Sequence, residues 1–101
     1  IRKPLSGLRK AMGKRLLEAT HTTAMLTTFN EADMSEVIKL REQYKEAFIA
    51  RYKTKLGFMS FFVKACVSAL QAYPQVNSYL DGDDQVFRAG IDIGVAVSSE
   101  R

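Results

Sequence analysis

A chain of 101 residues with 47% hydrophobic and 26% charged side chains, two prolines and six glycines has the composition of one small globular domain or a piece of a larger one, which argues against disorder. Its formal net charge of +4 favours anionic partners, without choosing among nucleic acid, phosphorylated cofactors and acidic proteins. A single cysteine, Cys66, excludes an internal disulfide, and a single histidine, His21, leaves no cluster of soft ligands for a metal, so no metal site is expected.

The opening IRKPLSGLRK lacks an initiator methionine and reads as a linker junction, so the chain is expected to have been cut from a longer one. Ser6 is placed to cap a first helix, in which Leu8, Ala11, Met12, Leu16 and Ala19 recur at helical spacing opposite Arg9, Lys10 and Lys14. The run MLTTF, Met25 to Phe29, is β-prone and predicts a strand, ended by NEAD. Asp33 and Glu36 match a capping box, and Met34, Val37, Leu40, Tyr44, Ala47 and Phe48 mark the apolar stripe of a second helix through about Arg51. Ser60 then caps a third helix, FFVKACVSALQAY, apolar on most sides and stopped by Pro74. Such a helix is expected to be buried nearly all round, with Phe58, Phe61, Phe62, Val63, Val67 and Leu70 against a sheet.

From Asn77 the period changes. NSYL, a turn at DGDD and QVF read as a hairpin, with Gly82 suited to its turn, and IDIGVAVSS reads as a further strand. Helix, strand, two helices and strands predict an α+β two-layer fold, and too few strands are present to flank the last one, so the sheet is expected to be incomplete. The apolar stretch Phe61 to Leu70 is broken by Lys64 and Ser68, so no membrane span and no membrane partner are expected.

His21 has hydroxyl neighbours, but threonine-rich turns are common, and a structural or surface role is the expectation. Cys66, inside the apolar helix, is expected to act as a small buried hydrophobe, and Lys64 as a solvated lysine. DGDD lacks the later ligands of a calcium loop, and KTKLGF lacks the ending of a phosphate loop. Two basic clusters remain. Arg2, Lys3, Arg9, Lys10, Lys14 and Arg15 come without aromatic stacking residues or a DNA-binding motif, so no nucleic-acid partner is expected. Arg51, Lys53 and Lys55 stand on alternate residues of a short connector and could gather around a phosphate, although a charge run is more often a wet surface.

The segments AMLTTFNEADMSEVIKLREQYKEAF (Ala24 to Phe48), KLGFMSFFVKA (Lys55 to Ala65), YPQVNSYLDGDD (Tyr73 to Asp84) and IDIGVAVSSER (Ile91 to Arg101) together resemble the catalytic domain of the dihydrolipoamide succinyltransferases, the acyltransferase cores of 2-oxoglutarate dehydrogenase complexes. The resemblance runs in order over the whole chain. It implies a chloramphenicol acetyltransferase-like mixed sheet with helices, here incomplete, and residues 1–101 as the amino-terminal part of the catalytic domain. The lipoyl domain, the subunit-binding domain and the carboxyl-terminal catalytic half are expected to lie outside the chain. The implied activity is transfer of a succinyl group from succinyl-dihydrolipoamide to coenzyme A, with the lipoyl group carried on a domain not in this chain.

Implied partners are further copies of the same chain, as trimers building a hollow cubic core, and the decarboxylase and dihydrolipoamide dehydrogenase components. The location would be cytoplasmic in a bacterium and the mitochondrial matrix in a eukaryote. The family's histidine base stands in a His-x-x-x-Asp-Gly motif that this chain lacks. His21 is followed by Thr22, Thr23, Ala24 and Met25, so no catalytic residue is assigned and the chain alone is expected to be inactive. An arginine before the LGF-like segment approaches coenzyme A in relatives, and Arg51, with Lys53 and Lys55, is its nearest match. The alternative is a basic binding or assembly module without catalysis.

Overall fold

The computed structural model describes residues 1–100, so Arg101, the last residue of the IDIGVAVSSER segment, lies outside them. The described residues form three helices, a short 3-10 turn and one hairpin, which is an α+β composition. They divide into two compact units, Ile1–Ala32 and Asp33–Arg101.

The first unit carries helix α1, Gly7–Thr22. Ser6 caps it as expected: its backbone is extended and its hydroxyl oxygen accepts from the Arg9 N–H at 3.4 Å. The helix runs further than the threonines foretold. His21 lies in its last turn, not in a loop, and the Thr20 and Thr22 hydroxyls donate to the Leu16 and Glu18 carbonyls four residues back. Those bonds share carbonyls that the helix itself uses, which weakens a helix slightly without ending it. Met25 to Phe29 is not a strand. A β-prone run becomes one only when a neighbour takes its backbone groups, and no described residue pairs with it.

In the second unit, helix α2 spans Ser35–Tyr52 and helix α3 spans Phe58–Ala72. The capping box expected of Asp33 and Glu36 does not form: Met34 is the N-cap and makes no side-chain cap hydrogen bond, the Asp33 carboxylate accepts from the Ser35 N–H two residues on at 2.9 Å, and Glu36 pairs with Lys39 at 2.7 Å. Helix α2 ends at Lys53, which adopts the left-handed conformation (φ 57°, ψ 23°) and donates its N–H to the Ile49 carbonyl. That single bond satisfies one of the orphan carbonyls of the last turn. Helix α3 starts earlier than a cap at Ser60 would have it: Gly57 is its cap, and Ser60 lies inside it.

Helix α3 passes into the 3-10 turn Pro74–Asn77 and then the hairpin, strand β1 Ser78–Asp81 and strand β2 Asp84–Phe87. The strands are antiparallel, with Ser78 opposite Phe87 and Asp81 opposite Asp84. Gly82 has φ +61° and Asp83 does not have positive φ, the pattern of a two-residue turn that needs glycine at its first central position. This sheet is two-stranded. Ile91 to Val97, expected as a strand, is unpaired among the described residues for the same reason as MLTTF, although Ile91 and Ile93 are half-buried on alternate positions. No described residue is fully buried. Val63, Val67 and Leu70 are half-buried on one side of α3 and Phe61 is half-buried on the other, while Phe58 and Phe62 are exposed by 37% and 49%, so the all-round burial expected of this helix is not reached within these residues. Periodicity reports how much apolar surface a helix has, not which residues will cover it.

Candidate functional site

The candidate cations stand at the end of α2 and in the connector to α3, and the structure divides them. Arg51 is in the last turn of α2, with its guanidinium 5.4 Å from the ring centroid of Tyr52, and lines a shallow depression of about 260 Å³ with Tyr44, Phe48 and Tyr52. The rings of Phe48 and Tyr52 stand 4.7 Å apart at 47°. Lys53 is the left-handed residue that closes the helix. Lys55 lines a different depression, of about 230 Å³, with Arg41, Lys45, Ile49 and Leu56. Thus Arg51 and Lys55 do not share one hollow.

Arg41 is the residue that reading the sequence missed. Its Nε donates to the Leu56 carbonyl at 3.0 Å, and its Cζ lies 4.7 Å from the centroid of the Phe58 ring. With a side chain only 34% exposed, it is held from two sides, whereas the ammonium groups of Lys39 and Lys45 pair locally along α2. The available signal was its position within the apolar stripe, four residues after Val37 and three before Tyr44, where a charged side chain is out of pattern. Glu42 opposes the group: its carboxylate lies 3.8 Å from Arg41 Nη1 and 3.4 Å from Lys45 Nζ. Three cations against one carboxylate still leave the hollow positive. Over the whole second unit basic and acidic residues balance, nine to nine, so attraction for an anion there depends on this local grouping. A depression of this size suits a phosphate or carboxylate group; whole drug-sized ligands occupy roughly 300–1,000 Å³.

The other candidates supply no chemistry together. His21 has no hydrogen-bonding acid or nucleophile joined to it in α1. Cys66 is exposed on α3, not buried as its apolar neighbours led one to expect. Lys64 is exposed beside Ser60 and Phe61. The Asp81, Asp83 and Asp84 carboxylates surround the hairpin turn, and no group of three His, Cys, Asp or Glu that could hold a metal occurs among the described residues. None of the described helices is long and apolar enough to cross a membrane. The first basic cluster lies on and before α1, where Arg15 pairs with Glu18 at 3.5 Å.

The model of the family "2-oxoacid dehydrogenases acyltransferase (catalytic domain)" matches residues 1–101. The dihydrolipoyllysine-residue succinyltransferase component of the 2-oxoglutarate dehydrogenase complex of Escherichia coli (strain K12) is 54% identical over 100 residues, which is 99% of this chain and 25% of that protein. The protein of the same name from Rickettsia conorii is 56% identical over 97 residues, 96% of this chain and 25% of its own length. A crystal structure described as a probable dihydrolipoamide acetyltransferase from Listeria monocytogenes 4b F2365 superposes with a TM-score of 0.87 at 28% identity, covering 100% of this chain and 43% of that one. The chain therefore spans about a quarter of the length of the curated relatives it matches.

Proposed function

Because the chain belongs to the family of 2-oxoacid dehydrogenase acyltransferase catalytic domains, we propose that it is part of a succinyltransferase that moves a succinyl group from succinyl-dihydrolipoamide to coenzyme A within a 2-oxoglutarate dehydrogenase complex. The observation that carries this reading is the contrast in identity: 54% and 56% to proteins named as succinyltransferase components, against 28% to the probable acetyltransferase. In this reading the described elements are one portion of a chloramphenicol acetyltransferase-like two-layer domain, and trimers of it build a larger core that also engages decarboxylase and dihydrolipoamide dehydrogenase components. The location is the cytoplasm in a bacterium and the mitochondrial matrix in a eukaryote.

The transfer needs a base to take the coenzyme A thiol proton, because the thiolate is the effective nucleophile towards a thioester, and a donor to the tetrahedral oxyanion. This chain's part is different. It binds and orients the anionic end of coenzyme A, so that the thiol arrives at groups supplied elsewhere in the protein. Lys55, with Arg41 and Lys45, takes a phosphate of coenzyme A; Arg51 and Lys53, at the end of α2, serve a second phosphate of the same molecule. A guanidinium fixed by Leu56 and Phe58 loses less freedom on binding than an extended lysine does, which favours Arg41 as the principal donor.

The test is an acyl-transfer assay of the full-length parent with succinyl- and acetyl-dihydrolipoamide as alternative donors to coenzyme A. Preference for the succinyl donor is expected. Equal or greater use of the acetyl donor would refute the proposed substrate.

A further inference from the structure

Arg41 is held by two different groups from the connector and the start of α3, and their division of labour has a consequence for the proposed anion site. The Leu56 carbonyl accepts from Nε, which fixes the inner edge of the guanidinium and leaves the outer N–H groups for a ligand or for Glu42. A hydrogen bond at one edge does not stop the planar group from swinging about that bond. The Phe58 ring does, because the cation lies over its face at 4.7 Å. Phe58 is 37% exposed, so it is a platform at the surface and not a residue sealed in a core.

We propose that Phe58 is a positioning residue for coenzyme A binding: its ring holds the Arg41 guanidinium flat over the hollow that Lys45 and Lys55 share, so that a phosphate meets donors already oriented. The proposal rests on the reading of that hollow as a phosphate site. It does not make Phe58 a ligand, since the aromatic face acts on Arg41 alone. Removing the ring leaves the charge in place but frees the guanidinium to turn towards Glu42, 3.8 Å away, which competes with the phosphate for the same N–H groups.

The experiment is a double-mutant cycle in the full-length, assembled parent, with KM for coenzyme A and kcat measured for Arg41→Ala, Phe58→Leu, the double variant and Phe58→Tyr. Arg41→Ala is expected to raise KM about tenfold and Phe58→Leu about threefold, both with kcat nearly unchanged, in keeping with a lost charge-assisted contact and a lost cation–π contact. Phe58→Tyr keeps the aromatic face and should restore the wild-type KM. In the double variant the Phe58 effect should vanish, because without Arg41 the ring has nothing to position.

Should Phe58→Leu raise KM equally in the presence and absence of Arg41, the ring has only a structural role and the proposal is overturned, while the phosphate site stands. If Arg41→Ala leaves KM unchanged, the phosphate site itself fails, and the role of Phe58 falls with it. Phe58→Met, longer and more adaptable than leucine and without a π face, replaces the leucine variant in the cycle if that protein does not assemble. A wild-type KM in Phe58→Met counts against the proposal.

Discussion

The Asp33 carboxylate accepts two hydrogen bonds from Ser35, one from its N–H at 2.9 Å and one from its hydroxyl at 2.6 Å, immediately before the first full turn of α2. Both bonds favour the ionised carboxylate, the hydroxyl contributing more than the N–H, and they hold its pKa below the ordinary aspartate value of 3.8. The depressed pKa sets the sign of a pH effect. Ionised Asp33 supports the start of α2 fully above the ordinary value, and that support is lost as the pH falls through the lower, folded-state value. Hydrogen exchange of the first turn of α2, followed downward from about pH 5, should show protection falling only below the ordinary aspartate range. Asp33→Asn, which keeps an acceptor but cannot titrate there, should remove this pH dependence; an unchanged profile would show that another group is responsible.

Lys53 offers a way to separate backbone from charge. Its left-handed conformation costs an L-residue about 1 kcal/mol that glycine does not incur. Lys53→Gly should therefore raise the thermal stability of the full-length parent while weakening coenzyme A binding through the lost cation. A variant with lower stability would mean that the lysine side chain supports the helix end in a way its cap geometry does not reveal.

Gly82 should be the least replaceable glycine of the hairpin. A Cβ there would meet nothing within 4 Å, so the expected loss for Gly82→Val, about 1–2 kcal/mol, comes from its φ of +61° and not from collision. Gly90→Ala is the control, since that site is equally open and has no positive φ. Amide exchange across Ser78–Phe87 should accelerate in the first variant and stay unchanged in the second.

The cations of the two hollows can be ranked by KM for coenzyme A in the full-length parent. Arg41→Ala should raise it about tenfold, and Arg51→Ala about threefold, because among the described residues Arg51 is held by its neighbour Tyr52 alone. Glu42→Gln should lower it, by releasing both Arg41 and Lys45 from the opposing carboxylate. His21→Ala should leave KM and kcat nearly unchanged. A larger effect of Arg51→Ala than of Arg41→Ala would transfer the main phosphate contact to the end of α2.

The 101 residues expressed alone should contain helix but lack a cooperative core, because none of the described residues is buried and Leu8, Leu16, Phe29 and Leu80 are among the large apolar side chains left exposed. Circular dichroism and sedimentation should find helical signal with a broad thermal transition and self-association. A compact monomer with a sharp, concentration-independent melt would contradict this.

What the sequence made legible was what its own neighbours decide. Ser6 and the spacing of Leu8, Met12 and Leu16 located α1, and DGDD located the hairpin, because caps and tight turns are local devices. MLTTF and IDIGVAV were read as strands from composition, but strand formation is decided by a partner that need not be nearby in sequence. Arg41 was overlooked for the same reason: its importance comes from the Leu56 carbonyl and the Phe58 ring, fifteen and more residues away. The three cations of the connector were visible as a cluster, yet the turn at Lys53 separates Arg51 from Lys55, which alternate spacing did not foretell.

The two ties that close the second unit are both short in sequence. Arg41 reaches Leu56 across fifteen positions, and the Asn77 side-chain amide reaches the Gly90 carbonyl across thirteen, at 2.9 Å. Loops of about ten residues close in roughly 10–100 ns, whereas a ribosome adds only about 5–20 residues each second. During synthesis, α2, α3 and the hairpin thus have time to form and tie themselves before distant chain has emerged. Met25 to Phe29 and Ile91 to Val97, which pair with no described residue, gain no ladder of this local kind, and their open backbone groups are the ones that another nascent chain could meet first.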